Sequence, residues 1–147
     1  LDLRAFWCML LYSLNWFNLP LLDAQGRDAG ALFSADEHRF GIHAGDIETS
    51  MMLALRPERV CMRHARNFRS SSQDRAEAWP LLGNGRSARL GWQMQDYNPS
   101  GAVGDAAAAT PEKGRALIEA AGLQLARLLD EVSKLPLSTL HDPAADA

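Results

Sequence analysis

The segment His43-Ala44-Gly45-Asp46-Ile47-Glu48-Thr49-Ser50 sets an imidazole, two carboxylates and two hydroxyls within eight residues. Such groups can move protons near neutral pH. Ile47, Met51, Met52 and Leu55 recur at helical spacing and Pro57 marks a stop, so the pattern predicts a helix at 46–56. The polar cluster then occupies the loop into that helix and its first turn. There the free backbone N–H groups and the helix dipole favour carboxylates, anions and reacting groups. Ala44 and Gly45 leave room for a close approach to the backbone. The same residues also suit an ordinary helix start, with Gly45 or Asp46 as cap, Glu48 complementing the dipole and His43 merely hydrogen-bonded.

The elements that must hold this cluster can be read on either side of it. Residues 5–16 are dense in aromatic and aliphatic side chains. Such a run suits a strand at 6–14 buried on both faces of a parallel sheet, with a buried helix as the competing reading. Asn15, Trp16, Phe17 and Asn18 would lie near that strand's C-terminal end, where ligands bind in open α/β sheets. Trp16 is thus a candidate substrate contact, or a core residue. Ser34 and Glu37 form a capping box for a short helix. Arg59, Arg63, Arg66 and Arg69, with His64 among them, read as an anion patch or as a solvated face or subunit contact. Residues 70–109 carry loop signals in Ser70-Ser71-Ser72 and Gly83-Asn84-Gly85, a short strand at Trp92 to Asp96, and tight turns from Asn98 to Asp105. Thr110-Pro111-Glu112 opens a long helix to about 134, with Leu117, Ala121, Leu125, Leu128 and Val132 as one apolar stripe and Pro136 closing it. The tail 138–147 is expected to fray.

Composition narrows the function classes. The 147 residues are 47% hydrophobic and 22% charged, with a formal net charge of −3. That is enough for one domain with a core, and it gives no electrostatic footprint for nucleic acid. Cys8 and Cys61 make no metal motif and no disulfide framework, so reduced thiols and a cytoplasmic protein are the expectation. Phe6 to Leu14 is too short to span a bilayer and lacks a cleavage-site pattern, which argues against a membrane partner. The chain opens on Leu1-Asp2-Leu3-Arg4, within a few residues of the expected strand, and so reads as the continuation of an upstream portion.

H-A-G-x-x-E-T-S at 43–50, followed by Met52-Leu53-Ala54-Leu55, Pro57 and Val60, resembles a signature of the creatininase family of metal-dependent amidohydrolases. A second ordered match is Gly101 to Asp105 followed by Ala109-Thr110-Pro111-Glu112-Lys113-Gly114 and the long helix. Arg4 to Trp16 is similar to the strand before the family's substrate loop. The resemblance implies an α/β fold, a three-layer α/β/α structure with a mainly parallel sheet, of which 1–137 would be the C-terminal portion. It implies hydrolysis of an amide-type C–N bond in a small molecule, cyclic amides among them, with two divalent ions (zinc, manganese or iron) per complete site. It gives His43 the role of proton transfer and sets Glu48 beside it, as its support or as a metal ligand. It also suggests a homo-oligomer. The family's E-x-H…D and G-H-x-x-N metal segments do not occur in this sequence. In creatininase itself a tryptophan four residues before the histidine stacks on substrate. Here that position is Arg39, with Phe40 next to it, so the pair is the candidate substrate contact and creatinine is not the expected substrate. The alternative is a catalytically incomplete paralogue that binds a ligand or a partner subunit.

Overall fold

Among the residues that the computed structural model describes (14–83, 87, 91–136 and 139), helices and two very short strands follow one another along the chain. They are α1 (Ala35–Phe40), α2 (Asp46–Leu55), β1 (Asn67–Phe68), α3 (Ser71–Ala78), α4 (Met94–Tyr97), β2 (Gly104–Asp105) and α5 (Pro111–Lys134). Single 3-10 turns stand at Trp16–Asn18, Ala29–Leu32, Pro57–Arg59, Met62–His64 and Ala106–Ala108. The arrangement is a mixed helix and small-sheet structure, compatible with an α/β fold. The described ladder is antiparallel, pairing Asn67 with Asp105 and Phe68 with Gly104. The strand expected at 6–14 lies, but for Leu14, outside the described residues. So does nearly all of the tail. No helix among the described residues is long and apolar enough to cross a membrane.

Helix starts follow local chemistry. Thr110 Oγ1 accepts from Lys113 N–H at 3.2 Å and Pro111 takes the first helical position of α5. Ser34 Oγ accepts from Glu37 N–H at 3.1 Å at the start of α1. Two expectations fail in the loop-rich third of the chain. Ser70-Ser71-Ser72 is a helix start, not a loop: Ser70 Oγ accepts from Ser72 N–H at 3.1 Å and α3 follows. Trp92 to Asp96 gives no described strand, because Asp96, in the first turn of α4, accepts from Gln93 N–H at 2.8 Å and so closes the start of that helix. Trp92 stands edge-on to Tyr97, with centroids 5.1 Å apart. A local side-chain to backbone bond outcompetes a weak strand pattern.

The core consists of Leu21, Ala29, Phe33, Ile47, Leu117 and Ala120, with Trp16, Leu19, Met51 and Ala121 packed against it. It lies where α5 crosses α2 and the 19–33 loop covers the helix pair. Both buried faces differ from the expected apolar stripes. On α5 the buried residues are Gly114, Leu117, Ala120 and Gln124, while Leu125 is exposed. Gln124 replaces the expected leucine inside because its side-chain amide donates to Leu22 O at 2.7 Å, so it is buried with its hydrogen bond made. On α2 the buried residues are Asp46, Ile47 and Ser50, while Met52 and Leu55 face outward. The helices meet closely at Gly114, where a Cβ would stand 1.9 Å from Ser50 O.

Candidate active site

The loop from Gly41 to Gly45 carries His43 and is fixed from several directions. Ile42 N–H donates to Val103 O at 3.0 Å and Val103 N–H donates to His43 O at 2.7 Å, pinning the loop to the residue before β2. Ala44 then turns with φ +54°, a left-handed conformation that a non-glycine residue holds only when its surroundings enforce it. Glu48 supplies that enforcement from the first turn of α2: Ala44 N–H donates to Glu48 Oε2 at 2.9 Å. The other carboxylate oxygen, Oε1, lies 3.4 Å from His43 Nδ1. Such a length is common for a proton-transfer pair before substrate is present. The two side chains are 55% and 44% exposed, so a ligand can reach them.

The neighbouring carboxylate behaves otherwise. Asp46 was a candidate cap, but it turns inward and is 3% exposed. It accepts from Lys113 Nζ at 2.7 Å and from Ser50 Oγ at 3.0 Å. Lys113 also donates to Ala108 O at 2.9 Å, and Ser50 Oγ accepts from Thr110 N–H at 3.1 Å. These bonds join the start of α2 to the start of α5. Lys113 carried a legible signal of this partnership, since a cation in a helix's first turn opposes the dipole and calls for an acidic neighbour.

A third carboxylate was expected only to close a capping box with Ser34. Glu37 is 7% exposed and its side chain leaves α1 altogether. Oε1 accepts from Ile47 N–H at 3.1 Å, capping α2 from outside, and Oε2 accepts from Asp105 N–H at 3.1 Å. Gly45 and Gly104 make the space for it. A Cβ on Gly45 would stand 2.2 Å from Glu37 Oε1, and one on Gly104 would meet Gly45 Cα at 2.5 Å. The close approach that Gly45 allows is therefore that of a carboxylate of the same chain.

The remaining candidates fall around this centre. A cleft of about 450 Å³ is lined by Asn18, His38, Ile42, Ile47, Glu37 and Glu48. A second, of about 210 Å³, lies on the other side of Glu37 and Gly41 and is lined by Phe40, Phe68, Arg69 and Asp105 among others. The structure thus brings His43 and Glu48 together and places Phe40 in the adjacent cleft. Arg39 is exposed, its Cζ 4.7 Å from the centre of the Phe40 ring. Trp16 is half-buried against the core, and Asn18 of the same turn reaches the Glu48 cleft. In the arginine stretch Arg66 stacks on Phe68 at 5.1 Å and Arg69 pairs with Asp74 at 2.7 Å, and all four arginines are exposed. Among the described residues no three His, Cys, Asp or Glu side chains come together as a metal cage.

Comparison with known proteins adds to this geometry. The family model Creatininase, described as creatinine amidohydrolase, matches residues 9–129. No curated protein matches the chain. A crystal structure from Bacteroides fragilis NCTC 9343, provisionally named a creatinine amidohydrolase, is similar with a TM-score of 0.62 at 22% identity. The match covers 95% of this chain and 48% of that one, so the chain spans about half the length of the structure it resembles. At that identity the likeness speaks for the fold.

Proposed function

The chain belongs to the creatininase family, and on that footing we propose that it contributes the proton-transfer half of a small-molecule amidohydrolase site. The observation that carries this reading is the His43–Glu48 pair, held at the start of α2 and open to solvent. If Nδ1–H donates to Glu48 Oε1, the ring is held in the tautomer that leaves Nε2 bare. Nε2 is then the atom that takes a proton as water adds to the carbonyl carbon and returns it to the departing nitrogen as the C–N bond breaks. Carbonyl acceptors on the substrate would meet the Asn18 amide, and amide N–H donors the Glu48 side of the larger cleft. Arg39 and Phe40 replace a flat aromatic wall with a stacked guanidinium and ring, which favours a substrate other than creatinine.

The family's two divalent ions would polarise the carbonyl and acidify water. The described residues do not fit them: His43 and Glu48 face each other, Glu37 and Asp46 are engaged with backbone amides and Lys113, and no third donor joins the pair. We propose that the ions, in the complete site, are held by ligands outside the described residues. Within this reading Glu48 supports His43 and does not ligate.

The test is steady-state hydrolysis of a panel of linear and cyclic amides by the protein translated from its complete reading frame, with metal content measured alongside. His43→Ala is expected to lower kcat by about 10²–10⁴-fold with metal retained. Glu48→Gln is expected to lower it about 10–100-fold, also with metal retained. Turnover per folded molecule that is unchanged by His43→Ala would overturn the assignment of His43, and a parent protein that hydrolyses no amide of the panel would favour the ligand-binding paralogue.

A further inference from the structure

Resting on that reading, we propose that Glu37 is a positioning residue for the His43–Glu48 pair, acting through the backbone on both sides of the loop. Its two oxygens accept from two amides 58 residues apart in sequence, Ile47 N–H and Asp105 N–H. Ile47 immediately precedes Glu48 on the first turn of α2. Asp105 follows Gly104 and Val103, and Val103 holds Ile42 and His43 by backbone bonds of 3.0 and 2.7 Å. One carboxylate therefore ties the segment that grips His43 to the turn that carries Glu48. Loosening either bond changes the separation between Nδ1 and Oε1, already 3.4 Å and close to the limit of a hydrogen bond.

The chemistry of the two amides requires a carboxylate. Each presents one N–H, and a carboxylate can accept from both at once. Glutamine has one acceptor oxygen, and its NH₂ group would face the other donor. The buried site also leaves no room for rearrangement, because Glu37 lies against Gly45 and Gly104 where no side chain fits. An isosteric change at a group remote from the substrate should thus be felt at the reacting atoms, as displacements of about 1 Å can be in catalysis.

The experiment compares Glu37→Gln, Glu48→Gln and the double variant in the complete protein by kinetics and by ¹⁵N spectra of the histidine rings, with the His43 resonances assigned through His43→Ala. Glu37→Gln is expected to lower kcat about 10–100-fold with little change in KM, and to move the His43 ring toward the mixed tautomers of free imidazole. Because both residues act on one ring, the double variant should be no slower than the slower single variant. A folded Glu37→Gln protein with wild-type His43 ring signals would overturn the proposal, as would effects of the two changes that multiply. If Glu37→Gln does not fold, Glu37→Asp, which keeps the charge but is too short for both amides, carries the same readouts. The ring spectra do not depend on turnover, so this proposal can fail while the amidohydrolase reading stands, and the reverse.

Discussion

Asp46 and Glu48 lie two positions apart on α2, and a helix of 3.6 residues per turn points them about 200° apart. Asp46 therefore meets α5 and Glu48 meets the His43 loop and solvent. The two changes should separate cleanly in solution. Lys113→Met strands a nearly buried carboxylate and is expected to cost about 3 kcal/mol in urea unfolding, the low end for a broken buried pair because Lys113 is itself partly exposed. Replacing both partners by apolar residues should cost less than Lys113→Met alone. Glu48→Gln should change stability little and act on turnover. A third carboxylate responds to pH. Asp23 lies below the usual carboxylate range, chiefly because Arg27 N–H donates to it at 2.9 Å, with the Arg27 guanidinium at 2.7 Å adding to the effect. Its ionised form is preferred in the folded loop, so its contribution is present above the ordinary carboxylate pKa and is lost as pH falls through the lowered one. Amide signals of residues 23–28 should hold steady through mild acidification and shift only below that range. The proposed pair of His43 and Glu48 was legible because His, Gly, Glu and Ser stand at fixed spacing in one ordered motif. Glu37 was not, because its partners are backbone amides 10 and 68 residues away and a backbone amide leaves no mark in sequence.

At the scale of elements, α5 carries two glycines with opposite consequences. Gly114 is where α5 touches α2: an added methyl would lie 1.9 Å from Ser50 O and 2.4 Å from its carbonyl carbon. Backbone cannot yield as a flexible side chain can, so Gly114→Ala is expected to destabilise by about 3 kcal/mol or more and to weaken the Asp46–Lys113 contact. Gly122 has nothing within 4 Å, and Gly122→Ala should stabilise by about 0.5–1 kcal/mol, since alanine is the better helix former. Thermal melts of the two variants moving in opposite directions would check the helix contact; a neutral Gly114→Ala would contradict it. The extents of α2 and α5 could be read from their caps and stops, which are local signals. Their buried faces could not, because Asp46, Ser50 and Gln124 are inside only by virtue of partners on other elements. Helices α3 and α4 are eight and four residues long, too short for periodicity to rise above the loop signals around them.

At the scale of the molecule, the interior polar contacts account for side chains that would otherwise be outside, and apolar side chains take their place at the surface. Met52 and Leu55 on α2 and Leu125 and Leu129 on α5 are exposed, Leu55 and Leu129 to 60% each. Single exposed leucines are ordinary, but several on the two longest helices among the described residues mark surface that another body can cover. Burying each such side chain is worth about 1.5–3 kcal/mol. Association costs about 4–15 kcal/mol in lost rotational and translational freedom. Four side chains are comparable with that cost, so the 147-residue chain is expected to self-associate only weakly. A net charge of −3 gives little repulsion to oppose it. Light scattering over a concentration series should show a rising mass. Leu55→Glu combined with Leu129→Glu should suppress that rise while shifting stability by no more than about 0.5 kcal/mol per site, because both positions are on the surface. A chain that stays monomeric throughout, or a double variant that associates as the parent does, would show that these helix faces are not the surface through which copies of the protein meet.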